Sequence, residues 1–246
     1  IDPVLARIIR NRDITEEEEV HKFLYGTLED CHSPWLLAGM EQAVDLLTGQ
    51  IIAQSHIRVI GDYDVDGICS SYVLTYGLKC LGAKVDTAIP HRMKDGYGLN
   101  EHLIQEAYEA GIECIVTCDN GISAAEQVQM AKDLGMKVLI TDHHEVPFRE
   151  DDKGRHEILP PADAIVNPKQ DTCTYPFKNI CGAVVAFKLI LALFERMNYR
   201  EINNTVRELL PFVALATVCD VMELKDENRI FVKEGLKQIS NTANWG

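Results

Sequence analysis

Short apolar runs alternate with longer amphipathic stretches through most of this sequence. The runs are rich in β-branched residues and too short for helices, so they predict strands separated by helices. An α/β fold follows, in which an open parallel sheet is flanked by helices on both faces. The predicted strands cover 57–61, 84–90, 113–119, 137–142 and 163–167, and the predicted helices cover 67–82, 99–110, 123–135, 182–198 and 203–219.

The regions on either side of this alternation have helical patterns. Residues 1–50 form a predicted helical N-terminal segment, in which Thr15 and Glu18 have the spacing of a capping box. The main domain is predicted over 51–224, and 225–246 form a helical C-terminal connection. Three helices of the main domain are each predicted to end at a glycine in the left-handed conformation, namely Gly82, Gly111 and Gly135.

The charge balance limits the classes of partner. The 246 residues include 24 Lys and Arg against 38 Asp and Glu, a net charge of -14. Nucleic-acid platforms depend on basic surface, so this balance alone argues against one, whereas a carboxylate-rich metal site is compatible with it. No apolar run approaches the roughly 18 residues of a membrane span, and the N-terminus lacks a signal-peptide pattern, so we expect no membrane association.

The eight cysteines include no Cys-x-x-Cys pair and fall mostly in apolar segments. We therefore expect buried free thiols in a reducing compartment, which predicts a cytoplasmic protein. Cys114 and Cys118 share one predicted strand, where core packing explains them better than zinc binding does.

Acidic residues or histidines follow three of the predicted strands, at the point where each strand ends. Ligands bind outside the carboxyl ends of parallel strands, so the three loops should converge on one crevice. The first loop, GDYDVDG, has aspartates at alternate positions, which face the same way on an extended chain and call for a nearby cation. The residues are Asp62, Asp64 and Asp66 in the first loop, Asp119 in CDNG, and Asp142, His143 and His144 in TDHH.

Two other interpretations compete with a metal site of this kind. DYDVDG opens like an EF-hand calcium loop, but its twelfth position is Val73 rather than Glu, and a strand precedes it instead of a helix. Single aspartates such as Asp66 or Asp119 also serve as turn residues or helix caps. Capping alone leaves the repulsion among three converging acidic strand ends without compensation.

The two consecutive histidines send their side chains in different directions, so one can bind a metal while the other faces a substrate. Oxygen ligands with one imidazole suit Mn²⁺ or Mg²⁺ better than zinc or copper. Two such ions that share a carboxylate stabilise in-line displacement at phosphorus. The residues therefore predict a two-metal site for phosphoester hydrolysis.

The ordered motifs DYDVDG, CDNGIS, TDHH and ATVCDVMEL resemble those of the DHH phosphoesterase superfamily. GDYDVDG, PHRMKDGYGLN and the stretch from NPKQ to CGAVVAFKL are similar to the RecJ-like branch of single-stranded-DNA-specific 5′→3′ exonucleases. Other branches carry a histidine four residues before the first ligand, where this chain has Ile60, and that departure also indicates the RecJ-like branch.

The resemblance implies roles for the motif residues. His144 matches the histidine that contacts the scissile phosphate, and Asp142 matches a residue that orients the histidines. Asp119 matches the carboxylate that bridges the two Mn²⁺ or Mg²⁺ ions, while Asp64 and Asp66 each match a ligand of one ion. The full set of implied metal ligands is Asp62, Asp64, Asp66, Asp119, His143 and Asp220.

Four further residues are candidates for substrate binding. Arg92, Lys94 and Tyr97 hold a phosphate or a base in one interpretation and belong to an ordinary solvated loop in the other. Gly182 opens a predicted helix whose free amides face a phosphate, or it simply permits close helix packing. The sequence leaves both pairs of alternatives open.

The function implied by the resemblance is a 5′→3′ single-stranded-DNA exonuclease that releases nucleoside 5′-monophosphates in DNA repair and recombination. Two alternatives stay open: a phosphodiesterase for short oligonucleotides or dinucleotides, and a non-catalytic replication or repair scaffold. The implied partners are single-stranded DNA, a single-stranded-DNA-binding protein and a helicase, and we expect a monomer. Proteins of this branch continue into a second lobe and an oligonucleotide-binding fold, so 225–246 are expected to begin the connection to that lobe.

Overall fold

The computed structural model describes residues 1–94, 96–152 and 154–239. The end of the predicted C-terminal connection, 240–246, lies outside the described residues. The strands are β1 (His56–Ile60), β2 (Lys84–Ala88), β3 (Cys114–Cys118), β4 (Lys137–Thr141), β5 (Phe148–Asp151), β6 (Gly154–Glu157) and β7 (Ala164–Val166). The helices are α1 (Pro3–Arg10), α2 (Glu17–Tyr25), α3 (Met40–Ala53), α4 (Val65–Cys80), α5 (Glu101–Glu109), α6 (Ala125–Asp133), α7 (Gly182–Arg196), α8 (Ile202–Cys219) and α9 (Asp226–Ile239).

Five strands form the predicted parallel sheet, in the order β2-β1-β3-β4-β7. The central strand β3 is buried at every position, which its sequence CIVTC allows because four of the five side chains are apolar or thiol. One hydrophobic core lies between the sheet and α3, α4, α7 and α8, and a second lies under α5 and α6 on the opposite face. The α/β fold with helices on both faces is therefore confirmed.

The glycine-terminated helices are also confirmed. Gly82, Gly111 and Gly135 follow α4, α5 and α6 with φ of +79°, +72° and +86°. Only glycine adopts this left-handed conformation without a steric cost, and it lets the chain turn directly towards the next strand.

Two local predictions are wrong, and one hairpin was missed. Thr15 is not the cap of α2, because Glu16 occupies that position and makes no side-chain capping bond. The hairpin of β5 and β6 was not predicted, since its strands are charged and exposed and lack an apolar face. The three aspartates of the first loop do not alternate along an extended chain, because β1 ends at Ile60 and α4 begins already at Val65.

The N-terminal helices pack on the main domain. The predicted boundary at 50/51 falls inside α3, which buries Met40, Ala43, Val44 and Leu47 in the larger core. All eight cysteines are free thiols, of which five are buried and Cys219 is exposed. Among the described residues, no helix combines the length and the apolarity that crossing a membrane requires.

A buried ion pair joins α7 to α9. The Lys188 ammonium lies 2.8 Å from the Glu227 carboxylate, and these side chains are 1% and 0% exposed. Lys188 also donates to the His32 carbonyl at 2.5 Å, while the Tyr175 hydroxyl donates to the other Glu227 oxygen at 2.5 Å. Such a pair is stable in the interior because each charge has several hydrogen-bond partners.

Candidate metal centre

The sheet brings the three acidic loops together. β1, β3 and β4 are adjacent and in register, so that Ile60 pairs with Thr117 and Cys118 pairs with Thr141. Asp119 and Asp142 follow directly at the carboxyl ends of their strands. The predicted convergence on one edge of the sheet is therefore a consequence of strand order.

The aspartates of the first loop have three different environments. Asp62 is buried, and its carboxylate faces the backbone amides of Tyr63, Asp64 and Gly98, although burial still raises its pKa. Asp64 is exposed and caps α4 by accepting a hydrogen bond from the Gly67 amide at 2.9 Å. Asp66 lies in the first turn of α4 and is 2% exposed.

The Asp66 carboxylate binds the start of α7. It accepts hydrogen bonds from the amides of Gly182 at 2.6 Å and Ala183 at 2.8 Å. The interpretation that the free amides at the start of α7 face a phosphate is therefore wrong, because the amides of Gly182 and Ala183 already donate to Asp66. The alternative of close packing holds: a Cβ at Gly182 would lie 2.9 Å from the Asp119 Cβ and 3.0 Å from Asp66 Oδ2.

His143 joins three carboxylates that come from distant parts of the sequence. Its Nε2 lies 3.1 Å from Asp119 Oδ1, 3.5 Å from Asp66 Oδ2 and 3.8 Å from Asp220 Oδ2. Two groups of potential ligand atoms are compact enough for a metal ion, Asp119 with His143 and His144, and Asp66 with His143 and Asp220. The two groups overlap at His143, and because one imidazole nitrogen binds one ion, a second neighbouring ion would depend on the Asp119 carboxylate.

The electrostatics of the two groups favour a cation. Burial, together with the charges of Asp66 and Asp64, raises the pKa of Asp119 to about 10. Burial also raises the pKa of Asp220, and its Oδ2 is enclosed without a hydrogen-bond partner among the described residues. Carboxylates crowded in this way are ionised together only beside positive charge. Oxygen atoms with imidazole nitrogen are a donor set that fits Mn²⁺ or Mg²⁺.

Asp142 holds the two histidines in place through hydrogen bonds. Its Oδ1 accepts from the amides of His143 at 2.7 Å and His144 at 3.1 Å, and lies 2.7 Å from His144 Nδ1. Its Oδ2 accepts from the Ile122 amide at 3.0 Å. Although burial opposes ionisation, these hydrogen bonds and the His144 charge lower the pKa of Asp142. The same contact with Asp142 raises the pKa of His144.

The three substrate-binding candidates in the loop after β2 have different surroundings. Tyr97 lies at the site, with its hydroxyl donating to the Asp119 carbonyl at 2.8 Å and lying 3.5 Å from His144 Nε2. Arg92 lies over the ring of Tyr63, 5.3 Å from its centroid. Lys94 is in an exposed turn, and the structure does not bring it into either ligand group.

Sequence reasoning missed several residues that position the site. Asn120 donates from Nδ2 to the carbonyls of Ile60 and Cys118, which fixes the loop that carries Asp119. Asn167 donates to the His144 carbonyl at 3.0 Å. Asn120 stood inside the motif CDNG, so its position gave a signal, whereas Asn167 becomes informative only through tertiary contact.

The family model "DHH family, N-terminal domain" matches residues 56–217. The chain belongs to this family. Proteins named single-stranded-DNA-specific exonuclease RecJ are similar to it: that of Bacillus subtilis is 39% identical over 246 residues, which are 100% of this chain and 29% of that protein. The RecJ of Escherichia coli is 36% identical over 250 residues, covering 97% of this chain and 41% of that protein.

Two solved structures of RecJ proteins are also similar to this chain. A crystal structure of exonuclease RecJ bound to manganese is 34% identical, with a TM-score of 0.72 over 84% of this chain and 49% of that chain. A structure of RecJ with Mn²⁺ from Thermus thermophilus is 32% identical, with a TM-score of 0.69 over 84% of this chain and 28% of that chain. The chain thus spans less than half the length of these relatives.

Proposed function

We propose that this chain is the catalytic part of a metal-dependent phosphodiesterase that degrades single-stranded DNA from its 5′ end. The observation that carries the proposal is the pair of ligand groups that share His143 at the carboxyl edge of the sheet. Two neighbouring cation positions beside a histidine that can reach a substrate are the arrangement required for displacement at phosphorus. The RecJ names of the relatives support the same activity.

Asp66, His143 and Asp220 would hold one Mn²⁺ or Mg²⁺ ion, and Asp119 would supply carboxylate oxygen to a second ion on the side of His144. We propose Asp64, which caps α4, as a further oxygen ligand because the resemblance of the first motif implies that role. Asp62 belongs to neither group, and its buried Oδ1 has no hydrogen-bond partner among the described residues. When bound, the ions activate a water nucleophile and neutralise charge on the phosphate.

The protein's own groups orient the reacting phosphate. Asp142 fixes the His144 ring through Nδ1, which leaves Nε2 directed towards the space beside Tyr97. There Nε2 is positioned to hydrogen-bond a non-bridging phosphate oxygen in the transition state. The amides of Gly182 and Ala183 keep the Asp66 carboxylate in one orientation, as partners of metal ligands commonly do.

The preference for single strands is proposed from the names of the relatives, and the preference for 5′ ends from the resemblance of the motifs to the RecJ-like branch. The proposed cellular role is in DNA repair and recombination. The proposed setting is the cytoplasm, with a monomer that cooperates with a single-stranded-DNA-binding protein and a helicase. We also propose that 51–224 form the catalytic domain, with α3 packed on it, and that 225–246 begin the connection to a second lobe.

The test is hydrolysis of end-labelled single-stranded DNA, duplex DNA and a dinucleotide, each with Mn²⁺, Mg²⁺ or a chelator. We expect release of labelled mononucleotide from the 5′ end of the single strand, abolished by the chelator. Asp119→Asn serves as the inactive control. Cleavage of the dinucleotide alone would contradict the exonuclease assignment and favour a small-substrate enzyme. Absence of any cleavage by a folded, metal-bound protein would favour the scaffold.

A further inference from the structure

A cavity of about 410 Å³ opens on the side of His144 that faces away from the Asp66 ligand group. Its walls are the loop from Tyr97 to Leu99, the turn over 120–124, and the first turn of α6 at Gln127. We call it the His144 cavity. Its volume lies in the range of pockets that enclose small organic ligands.

The His144 cavity is continuous with the candidate metal centre. Asp142, His144 and Tyr97 belong to its lining, and the Tyr97 hydroxyl contacts the carbonyl of the metal ligand Asp119. A ligand in this cavity therefore lies against the ring that we assign to the scissile phosphate. The group that occupies the cavity must therefore be linked to that phosphate through only a few covalent bonds.

The chemistry of the lining identifies the group. The lining contains no lysine or arginine, and both oxygens of Asp142, its one carboxylate, already accept hydrogen bonds. The remaining wall combines apolar Leu99 and Ile122 with neutral polar side chains. A phosphate therefore finds no lysine or arginine there, whereas a flat, uncharged ring with polar edges finds both packing and hydrogen bonds.

The walls are held in place before a ligand binds. Thr117 Oγ1 donates to the Asn120 carbonyl at 2.9 Å, and Asn120 in turn bridges two strand ends. Gly121 has a φ of +107°, and a Cβ there would lie 2.6 Å from Thr117 Oγ1, so the turn can pack this closely only with glycine. A preformed cavity loses less entropy on binding than a mobile one.

Gln127 is the polar group best suited to contact the ligand. It is half-buried at the cavity wall and makes no hydrogen bond to another residue of the described part of the chain. Its amide both donates and accepts, which matches the edges of all nucleobases and gives little preference among them. We propose that the His144 cavity binds the nucleoside of the nucleotide whose phosphate is cleaved, with Gln127 as its hydrogen-bonding residue; this inference rests on the proposed function.

The test compares two glutamines of α6. Gln127→Trp fills the cavity, whereas Gln129→Trp places the same bulk on the exposed face, where Gln129 bonds Asp133. The probes are thymidine 5′-monophosphate and inorganic phosphate, measured by equilibrium dialysis with Mn²⁺, so that binding is read without hydrolysis. Gln127→Ala provides a second variant that removes the amide and enlarges the cavity. Thermal unfolding establishes that each variant is folded.

We expect Gln127→Trp to weaken nucleotide binding by about tenfold or more and Gln127→Ala by a few-fold, with phosphate affinity nearly constant in both. Gln129→Trp should bind both probes like the unaltered protein. Equal nucleotide affinity in the two Trp variants would overturn the inference, as would equal affinity of the unaltered protein for nucleotide and phosphate. Nucleotide binding that depends on Gln127 in a protein without hydrolytic activity would refute the proposed function and leave the binding site standing.

Discussion

The Asp66 carboxylate accepts hydrogen bonds from the first two amides of α7, at Gly182 and Ala183. A ligand from the first motif is therefore fixed by a helix that lies more than a hundred residues later in the chain. The helix dipole adds to this effect, since its positive end faces the carboxylate.

This relationship makes Gly182 a sensitive position. Gly182→Ala places a methyl group against the Asp119 Cβ and Asp66 Oδ2, so both ligands must shift. We expect Mn²⁺ affinity to fall by about tenfold or more, as for other changes that disturb the partners of metal ligands. Calorimetric titration with Mn²⁺ measures the effect. The matched control is Gly49→Ala in α3, where a Cβ meets no neighbouring atom. Equal Mn²⁺ affinity of the two variants would contradict this account.

Replacing Asp119 with Asn should separate stability from activity. Asp119 has a φ of +60°, a conformation that Asn tolerates better than most residues. Asp119→Asn removes a buried charge next to Asp66 and so should stabilise the metal-free protein by about 1 kcal/mol or more while abolishing hydrolysis. Urea unfolding in chelator provides the measurement, with exposed Asp133→Asn as the control. A less stable metal-free Asp119→Asn protein would refute the repulsion described above.

The stability gained by Asp119→Asn should also depend on pH. The pKa of Asp119 is raised in the folded, metal-free protein, to about 10, so folding favours the protonated carboxyl. Stability from this group is present below the unfolded pKa of about 4 and is lost as pH rises towards the folded value. The difference between Asp119→Asn and the unaltered protein should therefore widen from about pH 4 upward. A difference that is constant from pH 4 to 8 would contradict this expectation.

The two histidines should differ in their response to metal. His143 belongs to both ligand groups, so His143→Ala should abolish the Mn²⁺-induced rise in unfolding temperature. His144→Ala should keep most of that rise and lower turnover by about a hundredfold, a typical effect of losing one transition-state hydrogen bond. Thermal unfolding with and without Mn²⁺, read beside hydrolysis rates, distinguishes the roles. Equal loss of the thermal shift in both variants would make His144 a metal ligand.

Removing only one charge of the buried Lys188–Glu227 pair should strongly lower the stability of the protein. Lys188→Met leaves the Glu227 carboxylate without its cation and should destabilise the protein by about 3–5 kcal/mol. The double variant Lys188→Met/Glu227→Gln removes both charges and should recover part of this loss. A urea-unfolding double-mutant cycle measures the coupling, and strictly additive effects would show that the two side chains do not interact.

The sequence predicted the sheet well because its central strands β3 and β4 are buried on both faces. Runs such as CIVTC in β3 are apolar without interruption, and the glycine after each of three helices marks the turn to the next strand. The same reasoning failed for β5 and β6, whose exposed, charged residues have no core to face. Hydrophobic periodicity reflects burial, and the residues of these two strands are mostly exposed.

Most residues that meet at the candidate site were named from the sequence, whereas the orientation of their side chains was not. Strand order brought Asp119 and Asp142 to one edge, as the pattern indicated. The orientation of Asp66 depends on the amides of α7, and no local pattern encodes such a long-range contact. Gln127 was overlooked for a similar reason: a glutamine in an amphipathic helix is informative only when the cavity beside it is visible.

The second ligand group unites Asp66 and His143, which lie near the beginning and the middle of the segment that the family model matches, with Asp220, which lies just beyond the end of that segment. A ribosome-bound chain therefore has no complete site until the segment around Asp220 has emerged and α8 has docked. Proteolytic fragments that lack either end are likewise without the full set of ligands. Under the proposed function, this arrangement makes DNA cleavage depend on the folding of the whole domain, including the segment around Asp220.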